Sequence, residues 1–314
     1  MSTPAAKKKD RPKWFPLVWA VPAVIVVVVL GVLLARWLRE NALAEFIAAY
    51  PGEYHLPEWA PVGFPAWLAW QHFFNAFFLV LLVRTGLLIR NTQRPGAYWT
   101  RKNRPPLKTK GTPRKHSINH WLHFSLDWLW IINGVVFVIL LFVTGQWVRV
   151  IPTSWEVIPH ALSVAVQYAS LDWPTENGWV NYNALQQIAY GATIFLAAPL
   201  AAITGFRLSP VWNNNWRLTK VYPIELARKI HFPTMIYFVA FVVVHVTLVL
   251  TTGAIRNLNH MYAAQGSTDP NEAGGPLGLI MFLVSAVVMV AAWFLVRPMI
   301  LRPIAQLSGQ VTKN

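Results

Sequence analysis

Six stretches of this chain run for about 20 residues with hardly a charge in them, at 17–35, 64–89, 118–143, 183–206, 230–252 and 277–295. Hydrocarbon offers no partner to a peptide N–H or C=O, so a segment that crosses it must satisfy its own backbone. A run of this length does so as a single α-helix. Charged residues make up only 12% of the chain, about half the share in a soluble domain. The expected fold is therefore all-α and integral to a membrane, with six transmembrane helices. No remaining stretch is long enough for a separate soluble domain.

The connecting segments predict the orientation. Lys7, Lys8, Lys9, Arg11 and Lys13 precede the first span. Between spans two and three lie Arg94, Arg101, Lys102, Arg104, Lys108, Lys110, Arg114 and Lys115, with no acid among them. Arg207, Arg217, Lys220, Arg228 and Lys229 join spans four and five, and Arg297, Arg302 and Lys313 follow the last span. The other loops hold Arg36, Arg39, Arg149 and Arg256 beside nine acids: Glu40, Glu45, Glu53, Glu58, Glu156, Asp172, Glu176, Asp269 and Glu272. Basic residues concentrate on the cytoplasmic side, so this alternation predicts that both termini are cytoplasmic. The net charge of +15 follows from those loops and calls for anionic lipid rather than nucleic acid. "ALA" at 42–44 follows an apolar run as a signal-cleavage site would, but Arg36 and Arg39 intervene, and an uncleaved anchor is expected. The stretch 151–182, rich in Trp and Pro, is expected to hold a short interfacial helix or a docking surface.

The chain has no cysteine, which excludes disulfides, iron–sulfur clusters, thiolate-bound metals and covalently attached haem. Of nine histidines, His55, His116, His160 and His260 fall in loops or at span edges, where solvated side chains are expected. The remaining five are His72, His120, His123, His231 and His245. His231 and His245 are 14 residues apart, which on a helix puts both on one face, roughly 21 Å apart along the axis. His72, on an inward-running span two, lies at the depth of His245. His123 and His120, at the start of an outward-running span three, lie level with His231. Two pairs at two depths suit two iron centres with an imidazole on either side, whereas zinc needs three or four ligands in one cluster. His123 sits deeper than its alternative His120 and has Asp127 one turn on. Asp127 is the only acid within a span and is expected to orient an imidazole, to contact a propionate or a quinone, or to pair with a basic residue at the interface. Arg84, Arg90, Arg149, Arg228 and Arg256 at span ends are candidate propionate contacts. Pro199 and Pro233 are candidate kinks, and Gly86, Gly134 and Gly205 candidate points of close approach.

"QHFFNAFFLVLLVRTG" at 71–86, "NHWLHFSLDWLWIING" at 119–134, "YNALQQIAYGATIFLAAPLAAITG" at 182–205 and the H-x13-H helix together resemble the di-haem cytochrome b subunits of bacterial formate dehydrogenase, Ni–Fe hydrogenase and thiosulfate reductase. The resemblance implies a four-helix haem-binding core of spans two to five at 64–256. An anchor region at 1–63 precedes it, and a last loop, helix and tail at 257–314 follow. It implies His72 with His245 and His123 with His231 as axial ligands of two b haems. It also implies electron transfer between the quinone pool and a partner oxidoreductase subunit, of molybdopterin or hydrogenase type, at the bacterial cytoplasmic membrane. The extra first span turns the core over relative to the formate dehydrogenase subunit. Long aromatic outer loops favour an extracytoplasmic molybdoenzyme. Two rival readings are a self-sufficient transmembrane reductase, which would need a nucleotide-binding segment, and a haem-free transporter with a histidine proton path.

Overall fold

Residues 15–105, 108, 111–173, 177–269, 271–272 and 274–313 are described by a computed structural model. Lys7, Lys8, Lys9, Arg11, Lys13, Lys110 and Glu176 lie outside the described residues.

All six apolar runs are helices. They are Val18–Ala42, Ala66–Asn91, Ile118–Val143, Ala184–Leu208, Ile224–Thr251 and Leu277–Leu295. In chain order the elements are α1 (Phe15–Trp37, prolonged by a π-turn at Leu38–Ala42), α2 (Ala44–Ala49), α3 (Ala66–Asn91), β1 (Ala97–Arg101), β2 (Lys115–Ser117) and α4 (Ile118–Val143). There follow α5 (Val157–Ala169), α6 (Ala184–Ala192), α7 (Ala198–Leu208), α8 (Leu218–Val221) and α9 (Ile224–Thr251). The chain closes with α10 (Ala254–Ala263), α11 (Leu277–Leu295), α12 (Arg302–Ser308) and β3 (Gly309–Lys313).

Local chemistry sets the helix ends. Pro65 and Pro223 hold the residue before α3 and α9 in an extended conformation, with φ of −69° and −68°, and a helix N-terminus has no use for the N–H that proline lacks. Ser117 caps α4 by accepting from the His120 N–H. A π-turn at Thr193–Ala197 separates α6 from α7, just before Pro199. Because Pro199 cannot donate to the preceding turn, the fourth span takes up the mismatch there. Pro233, by contrast, sits inside the continuous α9.

The chain clusters into two units. The first comprises residues up to Tyr54, Ser154–Pro174 and Asn183–Leu185, and contains α1, α2 and α5. Its small core is Tyr54, Val157, Ala161 and Ala184. The side chains Val24 to Val29 of α1 are all exposed, as a helix surrounded by lipid requires.

The second unit holds α3, α4, α7, α9, α10 and α11. Leu81 and Leu82 of α3 pack on Trp121, Leu122 and Leu126 of α4, with Ala292 and Ala305 completing the core. A three-stranded antiparallel sheet of order β2-β1-β3 adds to the helical fold, pairing Tyr98 with Ser117 and Ala97 with Lys313. It ties the chain's last strand to the loop between spans two and three. Trp99 donates its indole N–H to Ala305 O at 3.0 Å, and Gly309 has no side chain to obstruct that ring.

Candidate functional site

The structure brings four of the five membrane histidines together two by two. His72 on α3 faces His245 on α9 with ring centres 6.2 Å apart. His123 on α4 faces His231 on α9 at 6.5 Å. Between the two levels Trp130 meets Phe238 edge-on at 6.2 Å.

The hydrogen bonds of the inner pair follow one pattern. Thr85 donates its hydroxyl hydrogen to Leu81 O at 2.8 Å, so its oxygen is left to accept from His123 Nδ1–H at 2.7 Å. Thr204 donates to Leu200 O at 2.6 Å and accepts from His231 Nδ1–H at 2.8 Å. Both threonines are fully buried. A proton held on Nδ1 leaves the Nε2 lone pair free for a metal. Each threonine precedes a glycine that lies beside the same ring: a Cβ on Gly86 would touch His123 Cε1 at 3.6 Å, and one on Gly205 would touch His231 Cε1 at 3.5 Å, ordinary contact distances. In the outer pair, Tyr190 OH lies 3.4 Å from His245 Nδ1. His72 Nδ1 is buried with no hydrogen-bond partner among the described residues.

These separations fit an iron held from both sides. Imidazole–metal bonds of about 2 Å on either side, with ring centres about 1.2 Å beyond the nitrogens, put the ring centres about 6.4 Å apart. Haem iron takes such axial ligands. Among the described residues no three His, Cys, Asp or Glu side chains form a metal-binding group.

His120 is placed differently from His123. Its Nδ1 lies 2.6 Å from Ser117 Oγ, and its ring meets Phe124. Asp127 Oδ1 is 3.9 Å from His123 Nε2, too far for a hydrogen bond, and the orienting bond to His123 comes from Thr85 instead. Arg90 and Arg228 are exposed at the ends of their helices, and Arg90 lies over the Phe232 ring at 3.8 Å. Arg84 donates to Val296 O. Arg256 is buried on α10. Arg149 is 2% exposed and donates to Pro61 O, Gly178 O and Trp179 O at 3.0, 3.0 and 2.8 Å. Among the described residues nothing beyond its own helix lies within 4 Å of a Cβ on Gly134.

Two of the histidines expected to be solvated are buried. His160 accepts from Gly52 N–H at 3.0 Å and sits against Tyr50 and Tyr54. His260 packs on Trp179 and Phe64, and burial, followed by the charges of Arg256 and Arg149, lowers its pKa to about 4. His160 lies on α5 and His260 on α10, short helices between spans that bury these side chains, which charge and hydropathy alone do not reveal. Burial likewise pushes the Tyr182 hydroxyl up to about 12.

Sequence reasoning missed Thr85, Thr204 and Tyr190. A weak signal for the first two was present: of the four Thr-Gly dipeptides in the chain, those at 85–86 and 204–205 fall near the same end of spans two and four, while those at 144–145 and 252–253 follow spans three and five.

The sequence model of the prokaryotic cytochrome b561 family matches residues 63–264. A curated relative, the putative protein-methionine-sulfoxide reductase subunit YedZ1 of Azospira oryzae, is 28% identical over 206 residues, covering 59% of this chain and 88% of the relative. No solved structure matches significantly.

Proposed function

The chain belongs to the prokaryotic cytochrome b561 family and is thus a multi-pass bacterial membrane b-type cytochrome of electron transfer; from that premise we propose that it binds two b haems, one in each half of the bilayer, and carries electrons between the quinone pool and a partner oxidoreductase subunit. His72 and His245 hold the outer haem, and His123 and His231 the inner one. The haem-binding core is 64–256, both termini face the cytoplasm, and the partner is extracytoplasmic, of molybdopterin type. The two facing histidine pairs carry this reading. The relative's description as a reductase subunit supports a partner chain.

When bound, haem supplies reversible one-electron exchange at its iron. The residues of this chain do the rest. Thr85 and Thr204 hold His123 and His231 in the Nδ1–H tautomer and fix their ring planes. α9 carries one ligand of each pair on a single rigid rod, so the spacing of the two centres is set by helix geometry. Apolar packing around the pairs keeps water from the metal and limits how much charge the site stabilises.

The test is a dithionite-reduced minus oxidised spectrum of the purified protein, with haem counted per chain. Two low-spin b haems are expected, falling to about one in His72→Ala and in His123→Ala. A well-folded protein that binds no haem would refute the reading and move the transporter forward. One haem lost in His120→Ala, with His123→Ala unaffected, would reassign the inner ligand.

A further inference from the structure

The two facing pairs are hydrogen-bonded unequally. At the inner level both Nδ1–H groups give short bonds, from His123 to Thr85 at 2.7 Å and from His231 to Thr204 at 2.8 Å. Each threonine hydrogen is committed to a carbonyl of its own helix, Leu81 O or Leu200 O, so each oxygen can only accept from the ring. At the outer level no comparable acceptor exists among the described residues. His72 Nδ1 is buried without a partner among them, and Tyr190 OH stands 3.4 Å from His245 Nδ1, beyond the usual range for an N–H···O bond. The outer imidazoles meet aromatic rings instead: Tyr262 edge-on to His72 at 5.7 Å, and Phe241 stacked on His245 with planes 4° apart.

A bond accepted from Nδ1–H moves electron density toward Nε2 and makes the imidazole a stronger donor, which favours the oxidised, more positive iron. Two such bonds act on the inner centre and none of that strength on the outer one. Charge works in the same direction. Arg149 is 2% exposed, is held by backbone carbonyls, and lies over the Tyr182 ring, which meets Tyr190 beside His245. A buried cation there favours the reduced, less positive outer centre. At the inner end Arg90 and Arg228 are exposed, where water and salt screen them, and Arg84 lies over the Trp293 ring of α11. Asp127, near His123, widens the inequality when ionised and leaves it unchanged when neutral.

We propose that the outer haem holds an electron more tightly than the inner one, so that this chain passes electrons from the cytoplasmic face outward and its extracytoplasmic partner is a reductase, an acceptor of electrons. The proposal rests on the two-haem reading and the orientation proposed above. At roughly fivefold for each inner hydrogen bond, the two bonds bias the shared electron about 25-fold toward the outer centre, a gap of about 80 mV at about 59 mV per tenfold. Each passage moves one electron and no proton, from reduced inner iron to oxidised outer iron. A quinol supplies the electrons, losing two electrons and two protons to become a quinone, and the partner's substrate is reduced by them. Thr85 and Thr204 are positioning residues in this scheme, since they act on iron only through the imidazoles.

The test is a potentiometric titration of the full-length haem-loaded protein, followed by visible absorption. Two components about 80 mV apart are expected, the higher one alone surviving in His123→Ala and the lower one alone in His72→Ala. A ligand variant can lose both haems, so a Thr85→Val, Thr204→Val double variant serves as the second measurement. It should raise the lower component by about 25-fold in the redox equilibrium, leave the upper one in place and close most of the gap. Equal potentials, a higher potential on the inner haem, or a gap undiminished in the double variant would each overturn the inference, while two bound haems leave the electron-transfer reading standing. A well-folded chain that holds fewer than two haems removes that reading and this inference together.

Discussion

Replacing Thr85 by Val removes one oxygen and keeps the shape of the side chain. In the structure that oxygen accepts from His123 Nδ1–H at 2.7 Å while its own hydrogen is committed to Leu81 O. Accepting from Nδ1–H makes the imidazole a more basic ligand, which favours the oxidised, more positive metal. Deleting the acceptor should therefore raise the midpoint potential of the inner haem. If the whole worth of a neutral hydrogen bond, about 1 kcal/mol, separates the two oxidation states, the rise is about 40 mV, since a tenfold change is about 59 mV for one electron. Orphaning the buried N–H should also weaken haem retention at that centre by about tenfold or more. Thr204→Val should act in the same direction through His231. The assay is a redox titration followed by visible absorption, with haem counted per chain. Thr85→Ser, which restores a hydroxyl, should return the potential toward that of the parent, and the outer haem should not move. An unchanged inner potential in both valine variants, or an equal shift of both haems, would refute the argument that these hydroxyls tune the ligands.

The remaining expectations concern space, a tie and a titration. Gly86→Ala and Gly205→Ala should keep their haem, because the added Cβ makes an ordinary contact with the imidazole at 3.6 and 3.5 Å, whereas Gly86→Leu should displace His123 and cost the inner haem, read from the pyridine haemochrome yield. Arg149→Met should lower detergent-phase thermal stability by on the order of 3 kcal/mol, since three carbonyls, Pro61, Gly178 and Trp179, lose their donor; an unchanged melting temperature would show that water replaces it. His260 has a folded-state pKa of about 4, below the ordinary value for histidine of about 6.5. The unfolded chain therefore binds more protons between these values, so stability is full above about pH 6.5 and falls as pH drops toward 4. His260→Phe should flatten that decline in melting temperature against pH, and an undiminished slope would point to another group.

Much of this molecule is legible in one dimension. The six apolar runs fixed the six helices, because hydrocarbon leaves a lone segment no other way to satisfy its backbone. Helix rise alone separates His231 from His245 and gives each histidine a level, since depth follows residue count. Which side chain stands across from which is another matter, because that depends on how each helix is rotated and on its neighbour. Only the tertiary structure turns His123 toward His231 and His120 toward Ser117, three residues apart though they are. It alone places Thr85 and Thr204 against the imidazoles, for a threonine in an apolar span reads like any other until its neighbour is known. The sheet that joins Ala97–Arg101 to the chain's end spans more than two hundred residues, and no local pattern announces a pairing that distant. His160 and His260 show the same limit: hydropathy assigns the segments between spans to solvent, whereas the structure folds these two into short helices and buries the imidazoles. The sequence set the depth of each group in the membrane, and the packing of the helices set its partner.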